Sequence, residues 1–358
     1  MTEKSRYSPR IAVLGTGAQG ASAGADMARA GYDVTFVEQW PDHVEAIRAN
    51  GITVHFPTRS INVKVPALHL CQLAEVKGKF DLVFIITKAY DTKWSCQLIA
   101  PYLAQDGLVV GLQNGMTHTD IAAVVGDERC IGGVIEMASN MWEPGVTNRE
   151  NDHETAWFAL GALSEKTQAR VEDVAMVLRT TGRVEVTADI RSCKWMKLVV
   201  NAAELIPSAI LDLPLAEAVR APGMLEVMRA AGYEAMQAAL ADGARITPII
   251  GLPPITTNDP DRYVDRIFDE VLSTFSTATT LVTSLQDWRK GRRAEVADVN
   301  GYVIDVLRAA GRDAPINRKI VDMALAIEDG RLDPDPGNAV SLIASLQEAR
   351  RIGGATSR

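Results

Sequence analysis

Short, unbroken apolar runs alternate with stretches of helical periodicity over the first 150 or so residues. Runs at 11–14, 34–37, 82–86, 108–112 and 130–135 read as buried strands, and 22–30, 43–49 and 92–103 as the helices between them. That alternation predicts an α/β domain built on a Rossmann-type, doubly wound parallel sheet. Residues 52–56 and 63–67 have the spacing of a short hairpin, and 143–163 of an antiparallel extension. A helix over 165–180 and a last strand at 184–186 follow. Past residue 189 the strand signal fades. Apolar positions recur with helical period over 192–210, 213–243, 261–281, 294–310, 317–329 and 339–350, which predicts an all-helical C-terminal domain. The expected division is therefore 1–188 and 189–358, with reactive groups in the cleft between.

The first strand runs into Gly15-Thr16-Gly17-Ala18-Gln19-Gly20, and a helical stretch follows. Gly15 allows a tight strand-to-helix turn, Gly17 a close approach of backbone to phosphate, and Gly20 close packing of helix on strand. The helix N-terminus adds free N–H groups and the positive end of its dipole. An acidic residue, Glu38, ends the second strand 18 residues after Gly20. There a carboxylate accepts hydrogen bonds from a ribose diol and repels a 2′-phosphate. Gln39, Trp40, Pro41 and Asp42 bring no cation to hold such a phosphate. The stretch predicts a dinucleotide site for NAD(H); the bland alternative is a solvated Glu at a strand end.

Bulk composition excludes more than it adds. The chain has 358 residues with a formal net charge of −8, which speaks against nucleic acid as a partner. Cys71, Cys96, Cys130 and Cys193 are scattered, with neither metal-ligand nor disulfide spacing, so no metal is expected. A short polar start and the lack of a long apolar run predict a cytoplasmic protein without membrane contact.

Three places carry candidate chemistry. Lys88 and Asn114 each follow a predicted strand at the carboxyl edge where open α/β sheets bind ligands. Locally they also read as a surface lysine and a simple turn. Lys197 and Asn201 stand four apart in an apolar helical stretch, so they share one helix face. A lysine there is costly to bury without a purpose, unless it reaches out to solvent. Glu295, after the basic cluster Arg289-Lys290-Gly291-Arg292-Arg293, reads as an acidic residue at a helix start.

Taken in order, these segments resemble the ketopantoate reductase family. The carriers are the glycine turn, Thr87-Lys88-Ala89, Gln113-Asn114-Gly115-Met116, Trp195-Met196-Lys197-Leu198-Val199-Val200-Asn201-Ala202, Ser284-Leu285-Gln286-Asp287 with Glu295 and Asn300-Gly301, and Pro315-Ile316-Asn317. The match runs over about residues 10–330. It implies that Lys197 is the general acid for a 2-oxo acid reduced by a nicotinamide cofactor, with ketopantoate the first substrate. It further implies that Glu295 orients substrate and lysine, and that Asn114 positions the lysine and touches the cofactor. Asn201 and Thr283 would contact substrate, and Lys88 the cofactor.

Two positions depart from the family pattern. Leu205 stands where an asparagine is common, beside Glu204 and Pro207, so this part of the pocket is rebuilt and an apolar substrate side chain becomes an option. Glu204 itself faces the site, pairs with a nearby base or lies at the surface. Glu38 replaces the family's usual grip on NADP(H), which stays an option from the resemblance. An NAD-dependent D-2-hydroxyacid dehydrogenase and a non-catalytic dinucleotide sensor are the alternatives. The helical domain leads us to expect a homodimer.

Overall fold

The computed structural model describes residues 7–253, 259–275 and 280–356. The chain divides into two compact units, Met1–Ile190 and Arg191–Arg358. In the first, the strands are β1 (Arg10–Leu14), β2 (Asp33–Glu38), β3 (Ile52–His55), β4 (Ser60–Val63), β5 (Ala67–His69) and β6 (Phe80–Ile85). They continue with β7 (Leu103–Leu112), β8 (Cys130–Glu136), β9 (Ser139–Glu143), β10 (Val146–Arg149), β11 (Trp157–Ala162) and β12 (Arg183–Val186). The helices are α1 (Ala18–Arg29), α2 (Pro41–Asn50), α3 (Thr92–Ile99), α4 (His118–Val125), α5 (Glu165–Gln168) and α6 (Val171–Leu178).

Eight strands make one sheet in the order β12-β11-β8-β7-β6-β1-β2-β5. The six from β8 to β5 run parallel, while β11 is antiparallel to β8 and carries β12 beside it. Ile11, Ala12 and Val13 of β1 have no exposed surface, because helices cover both faces of a parallel sheet. That is why β1 reads as a continuous apolar run and not as an alternating one. Strand order reverses on either side of β1, which puts the switch point at the glycine turn.

A second sheet, β4-β3-β10-β9, includes the hairpin anticipated near residue 52. Its return strand is Ser60–Val63 and not 63–67. Phe56 N–H donates to the Arg59 carbonyl and closes the turn early, and Pro66 has no N–H to extend the ladder. Residues 67–69 pair with β2 instead. The helix expected over 92–103 stops at Ile99, since Pro101 cannot continue it.

α7 (Ile190–Ile210) leads into the second unit, which is helical in all its described elements. They are α8 (Leu215–Arg220), α9 (Met224–Ala241), α10 (Pro260–Glu270), α11 (Thr283–Arg289), α12 (Tyr302–Ala309), α13 (Pro315–Glu328) and α14 (Ala339–Thr356). The periodicity over 213–243 splits into α8 and α9 at Pro222-Gly223, where Gly223 has φ +81°. The stretch 261–281 ends its α-helix at Glu270 and passes into a π turn, Val271–Phe275; residues 276–279 lie outside the described residues. The stretch 294–310 likewise opens with a π turn, Ala297–Gly301. On α9, Gly232 lets α10 approach: a Cβ there would meet Val264 Cγ1 at 2.8 Å.

Candidate active site

The glycine turn is built as its sequence demands. Gly15 has φ +87°, and a Cβ on it would stand 2.6 Å from Thr87 Cγ2. At Gly20 a Cβ would reach 2.0 Å from the Gly15 carbonyl oxygen. Gly17 is the opposite case, with open space where its Cβ would point. It also occupies the N-cap of α1 without a side-chain cap, and no acid stands in the first turn. The N–H groups of that turn have no acceptor within the helix. An uncapped helix start facing open space fits the pyrophosphate of a dinucleotide. The side chain of Gln19 is engaged elsewhere, its amide donating to the Met137 carbonyl at 2.9 Å.

Glu38 departs from expectation. Its carboxylate does not project freely as a ribose acceptor; only 6% of the residue is exposed. Oε2 accepts from Thr16 N–H at 2.6 Å and Thr16 Oγ1 at 2.9 Å. Oε1 accepts from the Gln39 and Trp40 N–H groups at 2.8 and 3.0 Å. Four donors fill the roughly four lone-pair positions of a carboxylate. The acid therefore holds the glycine turn to the end of β2, and its negative charge stays beside the turn.

His43 of α2, which the sequence did not single out, holds Thr16 from the other side. Its Nε2 lies 2.8 Å from the Thr16 carbonyl, while Nδ1 accepts from Gly145 N–H at 2.9 Å. Those two bonds define the neutral tautomer with the proton on Nε2. Burial lowers the His43 pKa, against the opposing pull of the Glu38 charge and the Thr16 carbonyl. Trp40 stacks on the ring at 5.6 Å between centroids. No spacing rule marks such a histidine; a His in the first turn of a predicted α2 was the only trace.

At the carboxyl ends of the neighbouring strands β6 and β7 stand Lys88 and Asn114, both partly exposed. Gln113 ties these two edges together. Its Nε2 donates to the Thr87 carbonyl at 2.8 Å and to Thr92 Oγ1 at 2.9 Å. Lys88, Asn114 and Gly15 thus lie on three adjacent strand ends of one sheet edge.

In the second unit, Lys197, Asn201 and Glu204 are all buried on α7. Lys197 does not reach out to bulk water, being only 8% exposed. Its Nζ lies 4.0 Å from Glu204 Oε1, so Glu204 belongs to the lysine's surroundings and not to the surface. Leu205 is buried as well. Pro207 lies inside α7 and removes one N–H from its ladder. One turn earlier, Asn300 supports the helix by donating its amide to the Ala202 carbonyl at 3.0 Å. The same amide donates to Asn317 Oδ1 at 2.8 Å, and Asn317 Nδ2 donates to Glu234 Oε2 at 2.7 Å. Glu234 also accepts the Ile316 and Asn317 N–H groups, which caps α13 from α9. The Asn300 and Pro315-Ile316-Asn317 motifs thus act as a buried buttress beneath α7.

Glu295 is buried just before the π turn, where its carbonyl accepts from Val299 N–H at 3.1 Å. It therefore precedes a π turn, not the regular helix start that the sequence suggested. Thr283 opens α11, and its Oγ1 is shielded from solvent with no hydrogen-bond partner among the described residues.

Sheet order, glycine turn and helical second unit define the class: a Rossmann-type α/β protein with an all-helical C-terminal region. The profile described as Ketopantoate reductase PanE/ApbA matches residues 11–162, and its C-terminal counterpart matches residues 189–328. The chain belongs to the ketopantoate reductase family. It is thereby an NAD(P)-dependent oxidoreductase acting on a CH–OH group, with a nicotinamide dinucleotide as cofactor. A 2-dehydropantoate 2-reductase of Archaeoglobus fulgidus is 29% identical over 325 residues, 90% of this chain and 98% of that one. The PanE/ApbA family ketopantoate reductase of Ralstonia eutropha JMP134 superposes with a TM-score of 0.75 at 25% identity, covering 90% and 99% of the two chains. D-mandelate dehydrogenase, solved with NADH and anilino(oxo)acetate, shares the fold with a TM-score of 0.79 at 21% identity over 90% and 99%. No described helix is long and apolar enough to cross a membrane.

Proposed function

We propose that the protein reduces a 2-oxo acid, ketopantoate first among its substrates, with Lys197 as the general acid. The observation that carries this is a buried lysine on one helix face with Asn201 and Glu204. When bound, the nicotinamide supplies a hydride to C2. Lys197 stabilises the charge that develops on the 2-oxo oxygen and delivers the proton to it. Asn201 holds the substrate, and the Thr283 hydroxyl, without a hydrogen-bond partner among the described residues, donates to its carboxylate. Glu295 orients substrate and lysine. In the first unit the helix start at Gly17 to Gly20 receives the pyrophosphate, with Lys88 and Asn114 along the same sheet edge as cofactor contacts. In this reading residues 1–188 hold the dinucleotide, and 189–358 hold substrate and proton donor.

NAD(H) is the proposed cofactor, supported by the Glu38 charge beside Thr16 and not by a free ribose acceptor. A reducing, cytoplasmic setting is supported by four free thiols. A homodimer belongs to the proposal too; sedimentation at twice the chain mass checks it. A second reading, oxidation of a D-2-hydroxy acid with NAD+, is favoured by the buried Leu205 where the family pattern has asparagine.

The test follows NADH absorbance with ketopantoate and with a panel of other 2-oxo acids. Lys197→Ala is expected to lose about 10²- to 10⁴-fold in turnover, while NADH binding measured by fluorescence persists. Wild-type turnover confined to D-2-hydroxy acid oxidation moves the assignment to the second reading. Turnover by Lys197→Ala near the wild-type rate rejects Lys197 as the acid.

A further inference from the structure

Glu204 occupies a position for which the family pattern supplies no role, and the structure gives it one. At about 100° per residue, Glu204 lies within about 20° of Lys197 around the helix axis, and Asn201 within about 40°. Leu205 falls about 80° away, toward the edge of that face. The three polar residues therefore form a single stripe of i, i+4 and i+7 on α7, with Glu204 rather than Leu205 in line with the lysine. Glu204 is only 5% exposed, and its Oε1 lies 4.0 Å from the Lys197 ammonium. That separation is an ion pair and not a hydrogen bond. A buried carboxylate and a buried ammonium each cost free energy alone, and each offsets part of the other's cost when they stand together. The backbone beneath them is anchored: Ser208 Oγ donates to the Glu204 carbonyl at 2.7 Å, and Asn300 donates to the carbonyl of Ala202.

We propose that Glu204 is a positioning residue for Lys197: its carboxylate keeps the lysine in the ammonium form and directs it along the Asn201 face of α7. The inference rests on the proposed role of Lys197 as proton donor. It gives this chain a second acid, besides Glu295, assigned to the lysine. A general acid must be protonated when substrate arrives, and an adjacent anion extends the pH range over which it is. The carboxylate takes no part in bond making. It acts only through the lysine.

The experiment reads the lysine directly in the full-length protein with NADH bound. Competitive acetylation by acetic anhydride, followed by mass spectrometry of the Lys197 peptide, is measured across pH for wild type, Glu204→Gln and Glu204→Asp. Glu204→Gln keeps shape and hydrogen-bonding capacity but removes the charge. The midpoint of Lys197 acetylation is expected to move at least about one pH unit lower in Glu204→Gln, and Glu204→Asp to restore part of it. In turnover assays the high-pH fall of kcat moves the same way, with KM for NADH unchanged. A Lys197 midpoint that stays put in Glu204→Gln overturns the proposal, even if that variant is less stable or slower. Loss of the reductase reading is distinguishable: a wild type that reduces no 2-oxo acid rejects the reaction, while the acetylation midpoint still decides the pairing.

Discussion

His43 holds Thr16 through a ring that must stay neutral. A proton on Nδ1 would set two donors, the ring N–H and Gly145 N–H, against each other at 2.9 Å. Burial keeps the folded-state pKa below the ordinary 6.5. The unfolded chain therefore takes up the proton first as pH falls, and the stability tied to neutral His43 is complete above about 6.5 and lost progressively below it. Urea unfolding at pH 7.5 and 5.5 is expected to show a smaller acid-induced loss in His43→Gln than in the wild type. Equal losses would remove His43 from the account. Single side chains were also the least legible part of the sequence. Glu38 was legible as an acid at the end of β2, but its four hydrogen bonds come from three backbone N–H groups and the Thr16 hydroxyl, which only the folded turn aligns. Glu204 left its surroundings open for the same reason, because burial and a 4.0 Å partner are properties of packing.

Two buried polar assemblies hold elements together. In the first unit, Asp26 of α1 accepts from Arg149 of β10 at 2.9 Å and is bonded to His153 Nε2 at 2.7 Å. Arg149 also donates to the Thr181 carbonyl, so the small sheet is pinned to α1 and to the end of α6. Arg149→Met leaves the Asp26 charge buried without its guanidinium and is expected to cost about 3–5 kcal/mol in urea unfolding. Adding Asp26→Leu is expected to recover a large part of that loss. In the second unit the Asn300–Asn317–Glu234 chain steadies α7 one turn before Pro207. Asn317→Ala removes its side-chain bonds to Asn300, Glu234 and the Ala231 carbonyl and is expected to cost about 1–3 kcal/mol by the same measurement. A variant of unchanged stability would mean the buttress contributes nothing. The motifs were visible in the chain, yet these partners lie 83 to 98 residues away.

For the molecule as a whole, cofactor choice is the property that integrates these parts. A ligand that binds only the folded state at 100 times its Kd adds about 2.7 kcal/mol of stability. NADH is therefore expected to raise Tm by more than NADPH at equal concentration; the reverse order would show that the Glu38 charge does not exclude a 2′-phosphate. The chain alone determined the α/β-then-helical order, the strand-glycine-helix turn and the lysine–asparagine face, because each depends on local periodicity and steric demand. The limits of elements were less legible: Pro66, Pro101 and Gly223 end or break them, and two π turns replace regular helix. Only the tertiary structure decided which donors saturate Glu38, that His43 secures Thr16, and that Lys197 and Glu204 are buried together. Those outcomes come from long-range contacts and burial, where the balance of desolvation and pairing is struck by groups far apart in the chain.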